Sequence, residues 1–267
     1  MDIYKGYKMK NNVEIVLPLG VTGKLSEMPN KEYLIQCLKN LKEQTLPVKI
    51  TIAMDENLQL DRKEIIEKYA DKIKIFPKDS WFSPGSIWKK IVICWEESDC
   101  KYVGWTAYDD FSSLDRFELQ YKQLEETDKN SSFCSNYIIE NGNTRQVNDG
   151  NIDFISTIGN HALFVPAYLI RKDTILNSGL CNYKEKFSRY FEGLLNYFII
   201  KTGIPISCPN AKFYRREHKG TLTETWREQW FMDSFKRTGY SPDQCGDDWN
   251  SIGFEDMCEK LKKELLK

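Results

Sequence analysis

The sequence predicts an α/β fold, a parallel sheet with helices on both faces, and three observations predict it. Short β-rich runs alternate with helical patterns through the first half of the chain. One of those runs, VEIVLPL, reads as a buried strand and another, VKITIAM, as a second strand. Acidic turns follow two of the strands, at Asp55-Glu56 and at Asp109-Asp110, and a sheet of this kind holds its ligand beyond the carboxyl ends of its strands.

Taken in order, Val13–Leu19 is the first strand, and Lys31–Gln44 is a helix with its apolar stripe on Leu34, Ile35, Cys37, Leu38 and Leu41. Val48–Met54 is the second strand, Asp61–Tyr69 a helix and Lys72–Phe76 the third strand. Pro84–Glu97 is a helix opened by Ser83, with proline at its first position, where the missing N–H costs nothing. Lys101–Ala107 is the fourth strand and runs straight into Tyr108-Asp109-Asp110; Leu114–Glu126 is the next helix. The second half is less regular. Glu140–Asn151 reads as a polar, turn-rich hairpin connection, Ile155–Ile170 as strand-like, and Arg171–Ser178 as a short helix stopped by Gly179. Arg189–Thr202 is a helix ending at Gly203; Ile204–Pro209 and Lys212–Arg215 are two short final strands. From Thr223 the pattern turns helical again, with an aromatic stripe at Trp226, Trp230, Phe231 and Phe235 and an amphipathic helix over Phe254–Leu266.

Composition narrows the function classes. A chain of 267 residues can bury a full core. Its 41% apolar and 29% charged residues suit an ordered globular protein rather than a disordered one. A formal charge of −1 gives no bulk field for nucleic acid, so nucleic acid is not an expected partner. The eight cysteines contain no C-x-x-C pair, which argues against a zinc site. Cys37 and Cys94 fall inside apolar helical patterns and read as small buried hydrophobes. A reducing, cytoplasmic compartment is therefore expected. Residues 1–12 are polar and lysine-rich with no apolar run behind them, so no signal peptide is expected. No apolar stretch approaches the roughly 18 residues of a membrane span.

Four segments, in order, carry a resemblance to a known family. VEIVLPL, LIQCLKNLKEQTL and VKITIAMDEN are similar to its entry strand, helix and acidic strand end. SPGSIWKKIVICWEESDCKYVGWTAYDDF resembles its glycine turn, helix and metal-binding strand end. RKDTILNSGLCNYKEKFSRYFEGLLNYFIIKTG looks like the segment ending in its catalytic Glu-Asp pair, and KFYRREHKGTLT like its late Arg/His segment. The chain thus resembles family 2 glycosyltransferases of the GT-A fold over roughly residues 13 to 222. That resemblance implies a Rossmann-like nucleotide-diphospho-sugar transferase, a mixed sheet flanked by helices. Residues 1–12 would be a tail, and residues 223–267 a C-terminal helical extension.

The resemblance also implies roles. Asp109 and Asp110 match the last two acids of the metal motif, where Mn²⁺ or Mg²⁺ bridges carboxylate and diphosphate. Ala107 stands where the family usually has its first Asp. Read alone, the two acids are also a solvated turn capping the next helix. Asp55 corresponds to the acid that accepts a hydrogen bond from the nucleobase, with an Asx-type turn as the plainer reading. Pro18 and Gly20 would wall the base pocket. Gly85 and Lys89 fall where the family places a glycine turn and a basic residue near ribose or diphosphate. Arg215 and Arg216 suit diphosphate recognition through forked donors. His218 matches a His that completes the metal shell or contacts the diphosphate in some relatives. Glu192 aligns with the first residue of the Glu-Asp pair and Gly193 replaces the second, so Glu192 is the candidate base that takes the acceptor's proton.

The function these roles imply is transfer of a sugar from a nucleotide-sugar donor, UDP-linked by the habit of the family, to a glycan or lipid-linked saccharide acceptor. The setting would be cell-surface polysaccharide assembly, with inversion at the anomeric carbon. The C-terminal helices offer a contact with the inner membrane face, or dock on the core. Two rivals remain. A sugar-phosphate nucleotidyltransferase needs a glycine-rich triphosphate loop, of which Gly20-Val21-Thr22-Gly23-Lys24 is a faint echo. A non-catalytic binding module of the same fold would account for Ala107 and Gly193.

Overall fold

A computed structural model of the chain describes residues 12–19, 30–56, 60–77, 84–158, 165–182, 191–217 and 254–267. Within them the elements run β1 (Val13–Leu19), α1 (Lys31–Lys42), β2 (Lys49–Asp55), α2 (Leu60–Tyr69), β3 (Lys72–Phe76), α3 (Pro84–Glu96), β4 (Tyr102–Trp105), β5 (Phe111–Ser112) and α4 (Arg116–Glu125). They continue with β6 (Ser131–Glu140), β7 (Asn143–Asn148), β8 (Tyr168–Arg171), α5 (Lys172–Ser178), α6 (Phe191–Thr202), β9 (Ile206–Glu217) and α7 (Phe254–Leu265).

Among the described residues the strands form one mixed sheet, ordered β3-β2-β1-β4-β8-β6-β9-β5, with β7 on β6. The first half is parallel as expected: β1 lies between β2 and β4, with Leu19 opposite Met54 and Val16 opposite Trp105. The direction then changes, since β8 runs antiparallel to both β4 and β6. Parallel strands buried on both faces lose the polar alternation of a half-exposed strand, which is why β1 and β2 read as apolar runs. Along β1, Ile15 and Leu17 pack with Leu34 and Leu38 of α1, Ile66 of α2 and Phe117 of α4. Val16 points the other way, toward Ile91 and Trp95 of α3, Ile175 of α5 and Phe198 of α6. Helices on both faces follow directly. Gly104 lets β4 close up on its neighbouring strands: a Cβ there would meet Ile15 Cδ1 at 3.1 Å and the Tyr168 carbonyl oxygen at 3.3 Å.

The second half departs from the sequence expectation in three places. Strand β6, in the middle of the sheet, was not anticipated. Its buried Ser131, Ser132, Ser135 and Asn136 give it a polar composition. The serines are paired internally, as in Ser132 Oγ to Gln123 Oε1 at 2.8 Å and Ser135 Oγ to the Pro209 carbonyl at 2.8 Å, and Asn136 donates through Nδ2 to the Cys134 carbonyl at 2.9 Å. The hairpin expected over Glu140–Asn151 is present, and tighter than its turn-rich sequence suggests: Asn141 (φ 50°) and Gly142 (φ 80°) make the turn, both with the positive φ that a two-residue hairpin requires, and β7 follows. The two expected final strands are one, β9, whose pairing with β6 shifts register so that Cys134 faces Cys208 while Ser135 faces Lys212; residues 209–211, beginning with a proline, bulge out. Of the strand-like Ile155–Ile170 stretch, the described part is strand only from Tyr168. α5 stops at Gly179 in the left-handed conformation, as its position predicts.

Strand β3 is the edge of the sheet, with Ile73 and Ile75 exposed on one face and Lys72 and Lys74 paired with Glu97 on the other. In α7, Cys258 and Leu261 are buried in the same apolar core that holds residues of α3, α5 and α6. No helix among the described residues is long and apolar enough to cross a membrane. The aromatic stripe Trp226–Phe235 lies outside the described residues.

Candidate functional site

The carboxyl ends of β1, β2 and β4 come together as the alternating pattern requires. Adjacent strands lie about 4.8 Å apart, so the β2 and β4 ends stand roughly 10 Å from each other across β1. Asp55 closes β2, Pro18 sits half-buried opposite Ala53, and the chain leaves β4 through Thr106, whose N–H donates to the Val16 carbonyl at 3.1 Å.

The acidic turn is clamped by α1. Asn30 caps that helix, its side chain accepting from the N–H groups of Glu32 and Tyr33 at 3.0 and 3.2 Å. One turn on, the Cys37 thiol donates to the Ala107 carbonyl at 3.4 Å. Asn40 then holds Ser112 by both backbone groups, at 2.9 Å each. Ala107 to Ser112 is therefore pinned at both ends, with Asp109 and Asp110 between the pins. The Asp110 N–H donates back to the Ala107 carbonyl at 3.3 Å, tightening the turn.

Asp110 is 5% exposed. Its Oδ1 accepts from the Arg216 backbone N–H at 3.0 Å. Burial and then the neighbouring Asp109 push its carboxyl well above the usual carboxylate range, opposed by that hydrogen bond and by the charges of Arg215 and Arg216. The same two acids, after burial, raise the Cys37 thiol, while Arg216 opposes them. Burial and then Asp109 push the Tyr108 hydroxyl up as well. A concentration of negative charge is thus held beneath the surface, partly balanced by two arginines.

Arg216 is built into the site by its surroundings. Its guanidinium lies 4.2 Å from the Tyr33 ring centre and 5.5 Å from that of Phe111, and Nη2 donates to Gln36 Oε1 at 3.0 Å. Phe111, Tyr214 and Tyr137 continue the stack across three strands, with centroids 5.0 and 5.1 Å apart. Nη1 is buried and has no hydrogen-bond partner among the described residues. The guanidinium thus lies against two aromatic rings with one buried donor unspent among the described residues.

The predicted residues divide as follows. Asp109, Asp110, Arg215 and Arg216 form one cluster; Asp55 and Pro18 lie at the neighbouring strand ends. Gly85 and Glu192 occupy the first turns of α3 and α6, and Lys89 is half-buried in α3. Gly20 and His218 lie outside the described residues. Sequence reasoning passed over Lys90, whose Nζ forms the ion pair with Asp55. A signal was present: Lys90 stands three residues after Ile87 and four before Cys94, within the apolar stripe of α3. It also passed over Tyr33 and Gln36, which only the fold brings to Arg216.

A second group of possible ligand atoms, on Glu14, Asp99 and Cys100, lies at the opposite end of the sheet. Glu14 is fully buried, accepts from Thr51 and Ser98 at 2.6 Å each, and has Lys49 Nζ at 3.5 Å; the same ammonium donates to Asp99. That network is satisfied by a lysine already in place and is structural.

With this geometry in hand, comparison gives a fold and no closer relative. No protein-family model matches the sequence, and no curated protein matches it. Among solved structures, residues 1–349 of S. aureus TarS match with a TM-score of 0.57 at 14% identity, over 77% of this chain and 60% of that one. The same fragment in complex with UDP matches at 0.58, with the same identity and coverage. Its complex with UDP-GlcNAc matches at 0.55 and 13% identity, over 80% of this chain and 61% of that one. The chain therefore spans about 60% of the TarS fragment. The fold is GT-A-like. It is the mixed α/β arrangement expected from the resemblance.

Proposed function

We propose that this protein is a glycosyltransferase that moves a sugar from a nucleotide-sugar donor, UDP-linked, to a glycan or lipid-linked saccharide acceptor. The observation that carries the reading is the pinned Asp109-Asp110 turn packed against Arg215 and Arg216 at the carboxyl end of a GT-A-like sheet. Support comes from TarS, a glycosyltransferase of similar fold that forms complexes with UDP and with UDP-GlcNAc.

The residues fit a divalent cation. Two neighbouring carboxylates, one of them raised by its burial and then by the other, are relieved by a bound cation, and Mg²⁺-type sites use one or two carboxylates completed by phosphate oxygens and water. Asp110, through the oxygen not taken by Arg216, and Asp109 would hold Mn²⁺ or Mg²⁺, with His218 as the further ligand. Bound there, the metal would neutralise the leaving diphosphate. Arg216 lends its unspent donor to the same oxyanions, Arg215 adds charge, and Gly85 and Lys89 stand by ribose or diphosphate. Asp55, Pro18 and Gly20 form the base end. Glu192 takes the proton from the acceptor hydroxyl in an inverting transfer. The setting is the cytoplasm, at surface-polysaccharide assembly, with the extension touching the inner membrane face.

One feature favours a second reading. Ala107 and Gly193 are missing acids, so the fold would serve as a binding module without turnover. Two measurements separate these. Thermal unfolding with UDP, GDP, TDP and CDP, each with and without Mn²⁺, reads binding: a nucleotide at 100 times its Kd adds about 2.7 kcal/mol. Release of UDP from UDP-GlcNAc and other UDP-sugars reads turnover. Metal-dependent stabilisation with release supports the transferase; binding without release, or no response to any nucleotide, supports the module, which would then hold a glycan or a partner enzyme.

A further inference from the structure

We propose that the indole N–H of Trp105 is a specificity contact for the donor's sugar, donating a hydrogen bond to one of its oxygens. The inference rests on the transferase reading and adds to it a residue that reads the sugar rather than the nucleotide.

Trp105 is 8% exposed, and its Nε1 is buried with no hydrogen-bond partner among the described residues. A buried Trp N–H ordinarily finds an acceptor. Trp95, in the same apolar core, shows the ordinary outcome: its Nε1 donates to the Gly104 carbonyl at 3.1 Å. The polar side chains of that core are committed to one another. Tyr168, whose carbonyl lies against Gly104, donates from its hydroxyl to Asn196 Oδ1 at 2.9 Å. Asn196 Nδ2 donates in turn to the carbonyl and hydroxyl oxygens of Thr157, at 3.1 Å each. The acceptor that the Trp105 donor lacks is thus an oxygen brought from outside these groups.

The position of Trp105 says which oxygen. It ends β4 at the carboxyl side of the sheet, opposite Val16, on the face packed by α3 and α6. Its ring meets Trp88 of α3 edge to face, with centroids 4.8 Å apart. Trp88 adjoins Lys89 and follows Gly85 by one turn, the part of α3 read above as standing by ribose or diphosphate. α6 brings its first turn to the same end of the sheet. Its last turn is held by Asn130, which donates to the Ile199 carbonyl at 2.7 Å and to Thr202 Oγ1 at 2.8 Å. Asn130 precedes β6, and β6 starts at the amino end, because it opposes β8 and β8 opposes β4. Trp105 therefore stands between the turn of α3 that flanks the diphosphate and the turn of α6 that carries Glu192. A sugar joined to that diphosphate and attacked beside Glu192 lies in this interval. An indole N–H only donates, so what it takes is a lone pair, which a sugar hydroxyl or acyl oxygen supplies.

The test uses the full chain with Mn²⁺ and measures, by calorimetry, the Kd of UDP and of UDP-glucose, UDP-galactose, UDP-GlcNAc and UDP-GalNAc. The quantity read is the ratio of the Kd of the tightest UDP-sugar to the Kd of UDP. In Trp105→Phe, which keeps an aromatic ring and loses the N–H, UDP should bind within about twofold of wild type while the ratio rises roughly 2- to 12-fold, the worth of one hydrogen bond. Trp88→Phe disturbs the same ring pair and keeps the Trp105 N–H, so its ratio should match the wild type. Unfolding temperatures report whether each variant is folded. If Trp105→Phe is not, benzothienylalanine at position 105, with sulfur in place of the N–H and the same shape, decides. A ratio unchanged by loss of the N–H, or raised equally by Trp88→Phe, overturns the inference and leaves the transferase reading standing. Failure of the wild type to bind any of these nucleotides is a different result: it removes the transferase reading, and the inference with it.

Discussion

Replacing Asp110 by Asn should make the apo protein more stable while removing its activity. Asp110 sits at 5% exposure beside Asp109, and burial and that neighbour both disfavour its charge. Burial costs the carboxylate most, and repulsion from Asp109 adds to it. Arg215, Arg216 and the Arg216 N–H return part of this. Asn keeps an oxygen for that N–H, so the hydrogen bond survives and only the charge goes. A net gain of about 1 kcal/mol is expected, which raises Tm by about 2–4 °C in a chain of this size. With EDTA present, differential scanning calorimetry should show the variant melting above the wild type. On adding Mn²⁺ and UDP the order should reverse, because only the wild type gains the ligand. Turnover, followed as UDP release, should fall about 100-fold or more, the scale of losing an electrostatic contact to the developing charge. A variant that melts lower than wild type in EDTA, or that turns over normally, would show that the turn is structural and the reasoning wrong.

Arg116, fully buried, donates to Ser112 Oγ at 2.9 Å, Gln120 Oε1 at 3.0 Å and the Pro166 carbonyl. Arg116→Ala should therefore cost about 3–5 kcal/mol, read by urea unfolding. Gly104→Val would press on Ile15 and the Tyr168 carbonyl and should cost about 1–3 kcal/mol; an unchanged Tm would mean that β4 can shift. The Cys134 thiol is pushed up to about 11 and Cys94 to about 12, chiefly by burial. At pH 8 about one in a thousand of a group at 11 is thiolate, against roughly one in four for a free cysteine. Iodoacetamide at pH 8 should then leave both unlabelled in the native protein and label both in guanidinium, as read by peptide mass spectrometry.

The parallel half of the fold was legible because its strands are buried on both sides, so hydrophobicity alone marks β1 and β2. The mixed half was not. β6 is central yet interrupts its core residues Phe133 and Cys134 with buried serines and Asn136, which bond to Gln123, Asn148 and Pro209. A strand satisfied by hydrogen bonds leaves no hydrophobic period to read. At the site, Asp109, Asp110, Arg215 and Arg216 carried signals in local sequence, and folding brought acids and arginines 106 residues apart into contact. The Tyr33–Arg216 stack and the Lys90–Asp55 pair carried a weaker signal, since each joins helix to strand end across a long loop closure. Lys90 was still visible as a charge at an apolar helical position.

Strand β3 has a consequence for handling the protein. Ile75 is 59% and Ile73 37% exposed on an edge whose backbone offers unused donors and acceptors to any other strand. What discourages such zippering is charge: Lys72 and Lys74 alternate with the isoleucines, and Glu97 ties both ammonium groups back to the body of the molecule. Electrostatic guards of this kind are shielded within about 3 Å at 1 M salt, against about 10 Å at 0.1 M. Concentrated, salty stocks should therefore thicken or cloud sooner than dilute ones at low ionic strength, and a lysine placed at Ile75 should keep them clear.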